Sequence, residues 1–308
     1  MDGRIFGADV DPLDRSLLHF AADWQYGSVH IEARAPDDPA QDVMFSTPQP
    51  HATTQGLEQV GAVTVPMGGG LVYDFGVFKG SAIDCESCVA TRTTAAANWV
   101  QSPLDIQAEP ENKISPRGAV RIAGTPIVAW PKLSGLLQSH IAMQPDQWGT
   151  SPLDKTEEAG PERRNWAMCS KPVPDKPPDA HLLIASGTKF THLFTSSGSW
   201  NAFQGEELAL PSGVSEITEF TMVCSADFLY AFTIDPNGVV LGTRFDVANK
   251  QWSYWTEIKA APSPGLQRCF LSGFDQATHG SVGLIFTETD DCTKKRKNTY
   301  YSLFIRIG

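Results

Sequence analysis

Four tryptophans, Trp24, Trp130, Trp166 and Trp255, offer broad aromatic faces on which an apolar or flat small molecule could stack. Tyr26, Arg121, His140, His192 and Arg244 add groups that orient a ligand through hydrogen bonds. Apolar stacking surface with a few directed donors is the make-up of a small-molecule pocket.

Other chemistries find little support in the residues. The chain has no GxSxG, HExxH, phosphate-binding loop, dinucleotide fingerprint or EF-hand loop, which removes the sequence signatures of the common hydrolases, metalloproteases and nucleotide enzymes. Met67-Gly-Gly-Gly70 lacks the helix and Lys-Ser/Thr of a phosphate cradle and reads as a turn. Asp9, Asp11 and Asp14, and the pair Glu206 and Glu207, sit in polar, turn-like surroundings and read as solvated loop carboxylates. Cys85 and Cys88 form a CxxC with no second CxxC beside it and no helical pattern after it, so a structural role is expected. The reading calls for no cofactor and no metal.

The four pocket tryptophans stand out because the other four are periodic. Trp99, Trp148, Trp200 and Trp252 follow one another at intervals of 49, 52 and 52 residues. Two of them share a longer signature, Trp99-Val-Gln-Ser-Pro-Leu-Asp105 and Trp148-Gly-Thr-Ser-Pro-Leu-Asp154. A large ring filling the space between sheets explains such a period without a ligand. Upstream of each come two β-like runs with a turn between, as in Phe228 to Thr233, the turn Asp235-Pro-Asn-Gly238, and Val239 to Phe245.

Six such units fit between the termini, each long enough for four strands, with openings expected near Ser16, Leu71, Ala119, Ala180, Glu219 and Cys269. The sequence therefore predicts an all-β fold, a six-bladed β-propeller of four-stranded antiparallel blades, as one domain over 1–308. Arg4-Ile-Phe-Gly is expected to pair with the Tyr300–Arg306 run, closing the ring with strands from both termini and leaving no sheet edge. The Pro-rich stretch 171–178 reads as a loop between blades, because the period runs on across it.

Composition agrees. Of the residues, 41% are hydrophobic and 10% aromatic, and 26 Gly and 22 Pro suit short strands with many turns. A net charge of -11 argues against nucleic acid or an anionic membrane as partner, and the basic run Lys294–Lys297 reads as a loop tip. No stretch approaches the roughly 20 apolar residues of a membrane span. Six cysteines suit three disulfides. A bridge between Cys269 and Cys292 across a hairpin region is plausible, leaving Cys169 and Cys224, although spacing does not settle connectivity. A secreted or lumenal setting is expected if a leader has been removed, and a cytoplasmic one otherwise.

The paired WxxSPLD, the period near fifty and the two-run units resemble the six-bladed propellers of the fungal fucose-binding lectin type, over roughly Ser16 to Phe304. In that family each blade interface repeats an Arg, a Glu and aromatic residues that clamp a sugar. Here Arg121 and Arg244 lack regular counterparts and the Glu residues do not recur in phase, which points to one asymmetric pocket. Lectin-like propellers of this kind are also similar to fungal cofactor-free cyclases, the hetero-Diels-Alderases of tropolonic sesquiterpenoid biosynthesis. That resemblance implies joining a quinone-methide diene to a terpenoid alkene, which requires both partners held face to face and a polarised carbonyl. Tyr26, His140, His192 and Arg121 would supply the polarisation, and Trp24, Trp130, Trp166, Trp255 and Arg244 the substrate contacts. The expected function is such a cycloaddition, with fucose-type carbohydrate binding without catalysis as the alternative and a scaffold for protein partners as a third class.

Overall fold

The computed structural model describes residues 3–24, 27–36, 41, 43–51, 58–79, 87–103, 119–122, 125–131, 137–144, 147–152, 166–171, 179–186, 189–195, 201–202, 208–214, 217, 219–225, 228–276, 281–292 and 299–306. The described residues contain strands and turns and no helix. Apolar, β-branched and aromatic runs form the strands, and Gly, Pro, Asn and Asp end them. The hairpin between Phe228–Ile234 and Val240–Asp246 shows how. Asp235 accepts hydrogen bonds through Oδ1 from the amides of Asn237 (2.9 Å) and Val239 (2.8 Å). Gly238 then takes a φ of 80°, the left-handed region that glycine enters without penalty.

These strands form six antiparallel sheets, over 3–50, 58–103, 119–152, 166–209, 219–259 and 267–306. Each is a meander in which successive strands lie side by side. In the first, fourth and fifth blades two short segments share the outermost position. Met44–Phe45 and Gln49–Pro50, for example, both pair with Gly27–Arg34. The sixth blade shows three strands among the described residues. The innermost strands are Gly3–Val10, Glu58–Gly68, Ala119–Ile122, Trp166–Lys171, Glu219–Cys224 and Gln267–Gln276. Each adjoins the next, and the last returns to the first, so the sheets form a closed propeller ring.

Two expectations are corrected. Ser16, Leu71 and Ala180 mark second strands, Leu17–Trp24, Leu71–Lys79 and Asp179–Ser186, and the blades open one strand earlier. First and second strands are both sandwiched between neighbouring blades, so both read as apolar runs. Leu17–Trp24, for instance, is buried at six consecutive positions. The terminal strands, in turn, do not pair with each other. Gly3–Val10 pairs with Leu17–Trp24, and Thr299–Arg306 with Ser281–Thr289, because a hairpin partner close in sequence costs less closure entropy than one nearly 300 residues away. The ring closes face to face instead, with Gly3–Val10 lying against Gln267–Gln276. The Ala8 amide donates to Ser272 Oγ at 2.8 Å, and Arg15 pairs with Asp275.

The core lies between blades, and each hydrophobic cluster draws on two of them. Phe20 and Ile31 of the first blade meet Phe274 and Ile285 of the sixth. Leu183 and Phe190 of the fourth meet Met222 and Phe245 of the fifth. Between the first two blades the backbones themselves approach closely: a Cβ on Gly7 would lie 2.9 Å from Val63 Cα, so only glycine fits. Disulfides join Cys169 to Cys224, linking the innermost strands of the fourth and fifth blades, and Cys269 to Cys292 within the sixth. Cys88 of the CxxC is also disulfide-bonded.

Candidate functional site

A concentration of buried polar side chains lies where the first blade meets the second. In Leu17–Trp24, His19 stands opposite Glu32 of Gly27–Arg34, and His30 stands opposite Ala21. This diagonal register brings His19 Nδ1 to 2.9 Å from His30 Nε2. On its far side His30 Nδ1 lies 2.8 Å from Asp74 Oδ2, in the second strand of the second blade. His51 reaches the same carboxylate oxygen through Nε2 at 3.3 Å, and its Nδ1 lies 2.7 Å from Ser28 Oγ. His19 and His30 are fully buried, and His51 and Asp74 are 3% exposed.

Next to this chain the site opens toward solvent. Glu32 accepts a hydrogen bond from Arg92 Nη2 at 2.6 Å, and Gln49 accepts from Arg92 Nη1 at 2.8 Å. The Trp99 indole N–H donates to the same Gln49 oxygen at 3.3 Å. The Arg92 guanidinium lies 5.4 Å from the Trp99 ring centre, within cation–π range, and the Trp99 ring also contacts His30 and His51. Arg92 is buried, whereas Glu32 and Trp99 are half-buried and form the accessible part.

Electrostatics fix the charge states. Burial alone would raise the Asp74 carboxyl, but His30 and His51 outweigh it and hold the carboxyl below the usual carboxylate range. Burial also opposes ionisation of Glu32, and the hydrogen bond and charge of Arg92 more than offset it. His19 is pushed down to about 4, mainly by burial and then by His30. Ser28, His51 and Asp74 together have the residue types of a hydrolytic triad, but the serine is 2% exposed and cannot receive a substrate. Asp11, expected as a solvated loop carboxylate, is 3% exposed. Its Oδ1 accepts from the amides of Leu13 and Asp14, each at 2.8 Å.

The same construction recurs half a ring away. His181 and His192 of the fourth blade are also eleven residues apart, occupy the same diagonal register, and bring Nδ1 and Nε2 to 3.1 Å. Trp252 of the fifth blade lies beside His192 as Trp99 lies beside His30. The surroundings differ. Phe194 stands where Glu32 stands in the first copy, Phe245 replaces Arg92 seven residues before the Trp, and Ala231 replaces Asp74 between a stacked Tyr and Phe in both strands. His192 is consequently pushed down to about 3, by burial first and then by His181.

The sequence-selected residues are dispersed. Trp24 ends the second strand of the first blade and packs on that blade's core. Trp255 packs between the fourth and fifth blades and donates its indole N–H to the Ala209 carbonyl at 2.9 Å. Arg244 lies over Phe228, with its guanidinium 4.9 Å from the ring centre. His192 belongs to the second histidine pair. The backbone places Arg121 opposite Pro126, Trp130 opposite Gln138, His140 opposite Val128 and Thr150, and Trp166 opposite Ile184. Their side chains, and Tyr26 altogether, lie outside the described residues, as do Trp200, Glu206, Glu207 and Lys294–Lys297. Glu32, Arg92, Trp99, His19, His51 and Asp74 were not selected from the sequence. The signal that could have found them was the repeated eleven-residue histidine spacing, followed in each case by a periodic Trp.

No family model and no curated protein matches the chain. Solved structures do. AofleA from Arthrobotrys oligospora is 11% identical with a TM-score of 0.64, covering 100% of this chain and 84% of that one. The SapL1 lectin in complex with alpha methyl fucoside is 12% identical with a TM-score of 0.62, covering 97% and 92%. The fucose-recognising lectin of Aleuria aurantia, a six-bladed β-propeller, is 10% identical with a TM-score of 0.57, covering 98% and 96%. Likeness at these identities is one of architecture, so the chain shares the β-propeller fold of fungal fucose-lectin-like proteins.

Proposed function

We propose that the chain binds carbohydrate of the fucose type without catalysis, at one site between its first and second blades. The observation that carries this is the meeting of Arg92, Glu32 and Trp99, the three residue types expected at a lectin-type blade interface, in one half-open cluster. The half-buried Trp99 ring supplies a face for the apolar C–H side of a sugar. Glu32, oriented by the guanidinium beneath it, accepts hydroxyl hydrogens in charge-assisted bonds, and Gln49 adds a further acceptor. Among the described residues, the second copy has Phe194 and Phe245 at the corresponding positions in place of the charged clamp, so these two interfaces are not equivalent.

Calorimetric titration with methyl fucoside, alongside a glycan array, tests the proposal. Saturable binding that falls at least tenfold in Glu32→Gln supports it, since a hydrogen bond to a charged group contributes about 1.5–3 kcal/mol. Absence of binding to any glycan would overturn it, and cycloadduct formation from a quinone-methide precursor and an alkene would overturn it in favour of the cyclase reading. The disulfides fit an oxidising compartment for such a lectin.

A further inference from the structure

We propose that His19, His30 and Glu32 form a binding site for one divalent transition-metal ion, such as Zn2+, in the buried polar cluster where the first and second blades meet. The inference is independent of the sugar-binding reading, although the two share Glu32. One ligand atom from each of the three residues lies within 4.8 Å of the others, with His19 Nδ1 2.9 Å from His30 Nε2 and 3.8 Å from Glu32 Oε1. At metal–nitrogen distances of about 2.0–2.1 Å, nitrogens this close subtend about 90° at a shared ion. Separating them by about 0.4 Å gives the tetrahedral angle.

The surroundings match what ligating imidazoles need. A metal-bound histidine characteristically donates its other ring N–H to a carboxylate. His30 Nδ1 faces Asp74 Oδ2 at 2.8 Å, and His19 Nε2 faces Asp11 Oδ2 at 3.6 Å. Without an ion the arrangement is frustrated. The Asp74 carboxylate requires the His30 proton on Nδ1, so His30 Nε2 accepts and His19 Nδ1 must donate to it. His19 Nε2 is then bare, buried and without a hydrogen bond, with its lone pair toward Asp11. An ion resolves this by moving the His19 proton from Nδ1 to Nε2. Both inner nitrogens then present lone pairs to the metal and both outer ones donate to carboxylates, with no net proton taken up or released. Charge is consistent as well, since Asp11, Glu32 and Asp74 against Arg92 leave two formal negative charges.

The chain supplies its own comparison. The pair His181 and His192 has the same register and spacing but has Phe194 in place of the Glu32 ligand and Ala231 in place of Asp74. It should bind metal far more weakly. The test titrates the metal-stripped full chain with Co2+, read by visible absorption, and with Zn2+, read by calorimetry. The expected result is one equivalent bound, at least tenfold weaker in Glu32→Gln and 10–100-fold weaker in Asp74→Ala, in line with loss of an outer-sphere partner. Asp74→Ala installs the residue that the fold already carries at Ala231, and His181→Phe should leave the affinity unchanged. Absence of Co2+ absorption and of Zn2+ heat in the unaltered chain would overturn the proposal. So would affinity unaffected by both Glu32→Gln and Asp74→Ala, or abolished by His181→Phe.

Discussion

Arg92 ties the second blade to the first through two acceptors, Glu32 and Gln49, and its Nε also donates to the Gly70 carbonyl of its own blade. Removing a buried ion-pair partner leaves the other groups unpaired, so Arg92→Ala is expected to cost about 3–5 kcal/mol in urea unfolding. Glu32→Gln keeps a hydrogen-bond acceptor but leaves the buried guanidinium without its counter-charge, so it too should unfold at lower urea, by less than Arg92→Ala. His192 contributes a pH dependence of definite sign. It titrates near 6.5 when unfolded and is pushed down to about 3 in the fold, so between those values the unfolded chain binds more protons. Stability is therefore complete above about pH 6.5 and declines as pH falls toward 3. Urea midpoints at pH 7 and pH 5 should differ in that direction, with the difference reduced in His192→Phe. Along the sequence only the repeated eleven-residue histidine spacing marks this site, because Glu32 and Arg92 are sixty residues apart and the packing of two blades unites them.

At the level of strands and turns, the sequence reveals periodicity more readily than boundaries. Trp99, Trp148 and Trp252 lie at or just before the outermost strands of their blades, where a large ring recurring at the same place in these blades gives a regular beat. The opening strands gave no such mark, and Ser16, Leu71 and Ala180 were displaced by one strand because inner strands buried on both faces look alike. The Asp235–Gly238 turn was legible because its geometry depends on local chemistry alone. A Cβ at Gly238 would sit 2.7 Å from Pro262 Cδ, on a backbone with φ of 80°. Gly238→Ala should accordingly lower stability by about 1–3 kcal/mol, measurable by thermal unfolding.

Across the whole molecule, stability depends on contacts between blades, since the hydrophobic clusters span pairs of sheets. The Cys169–Cys224 bridge spans 55 residues and ties two innermost strands. Replacing both cysteines by serine is expected to cost about 4 kcal/mol on the chain-entropy account, seen as a lower urea midpoint under non-reducing conditions. The face-to-face seam between Gly3–Val10 and Gln267–Gln276 has a mechanical consequence. Among the described residues no hydrogen-bond ladder crosses it, so tension applied to the two ends of the chain loads side-chain packing and isolated polar contacts such as Ala8 to Ser272 and Arg15 to Asp275. Under force the ring should open there first, at low load, leaving six folded blades on a string before any sheet unzips.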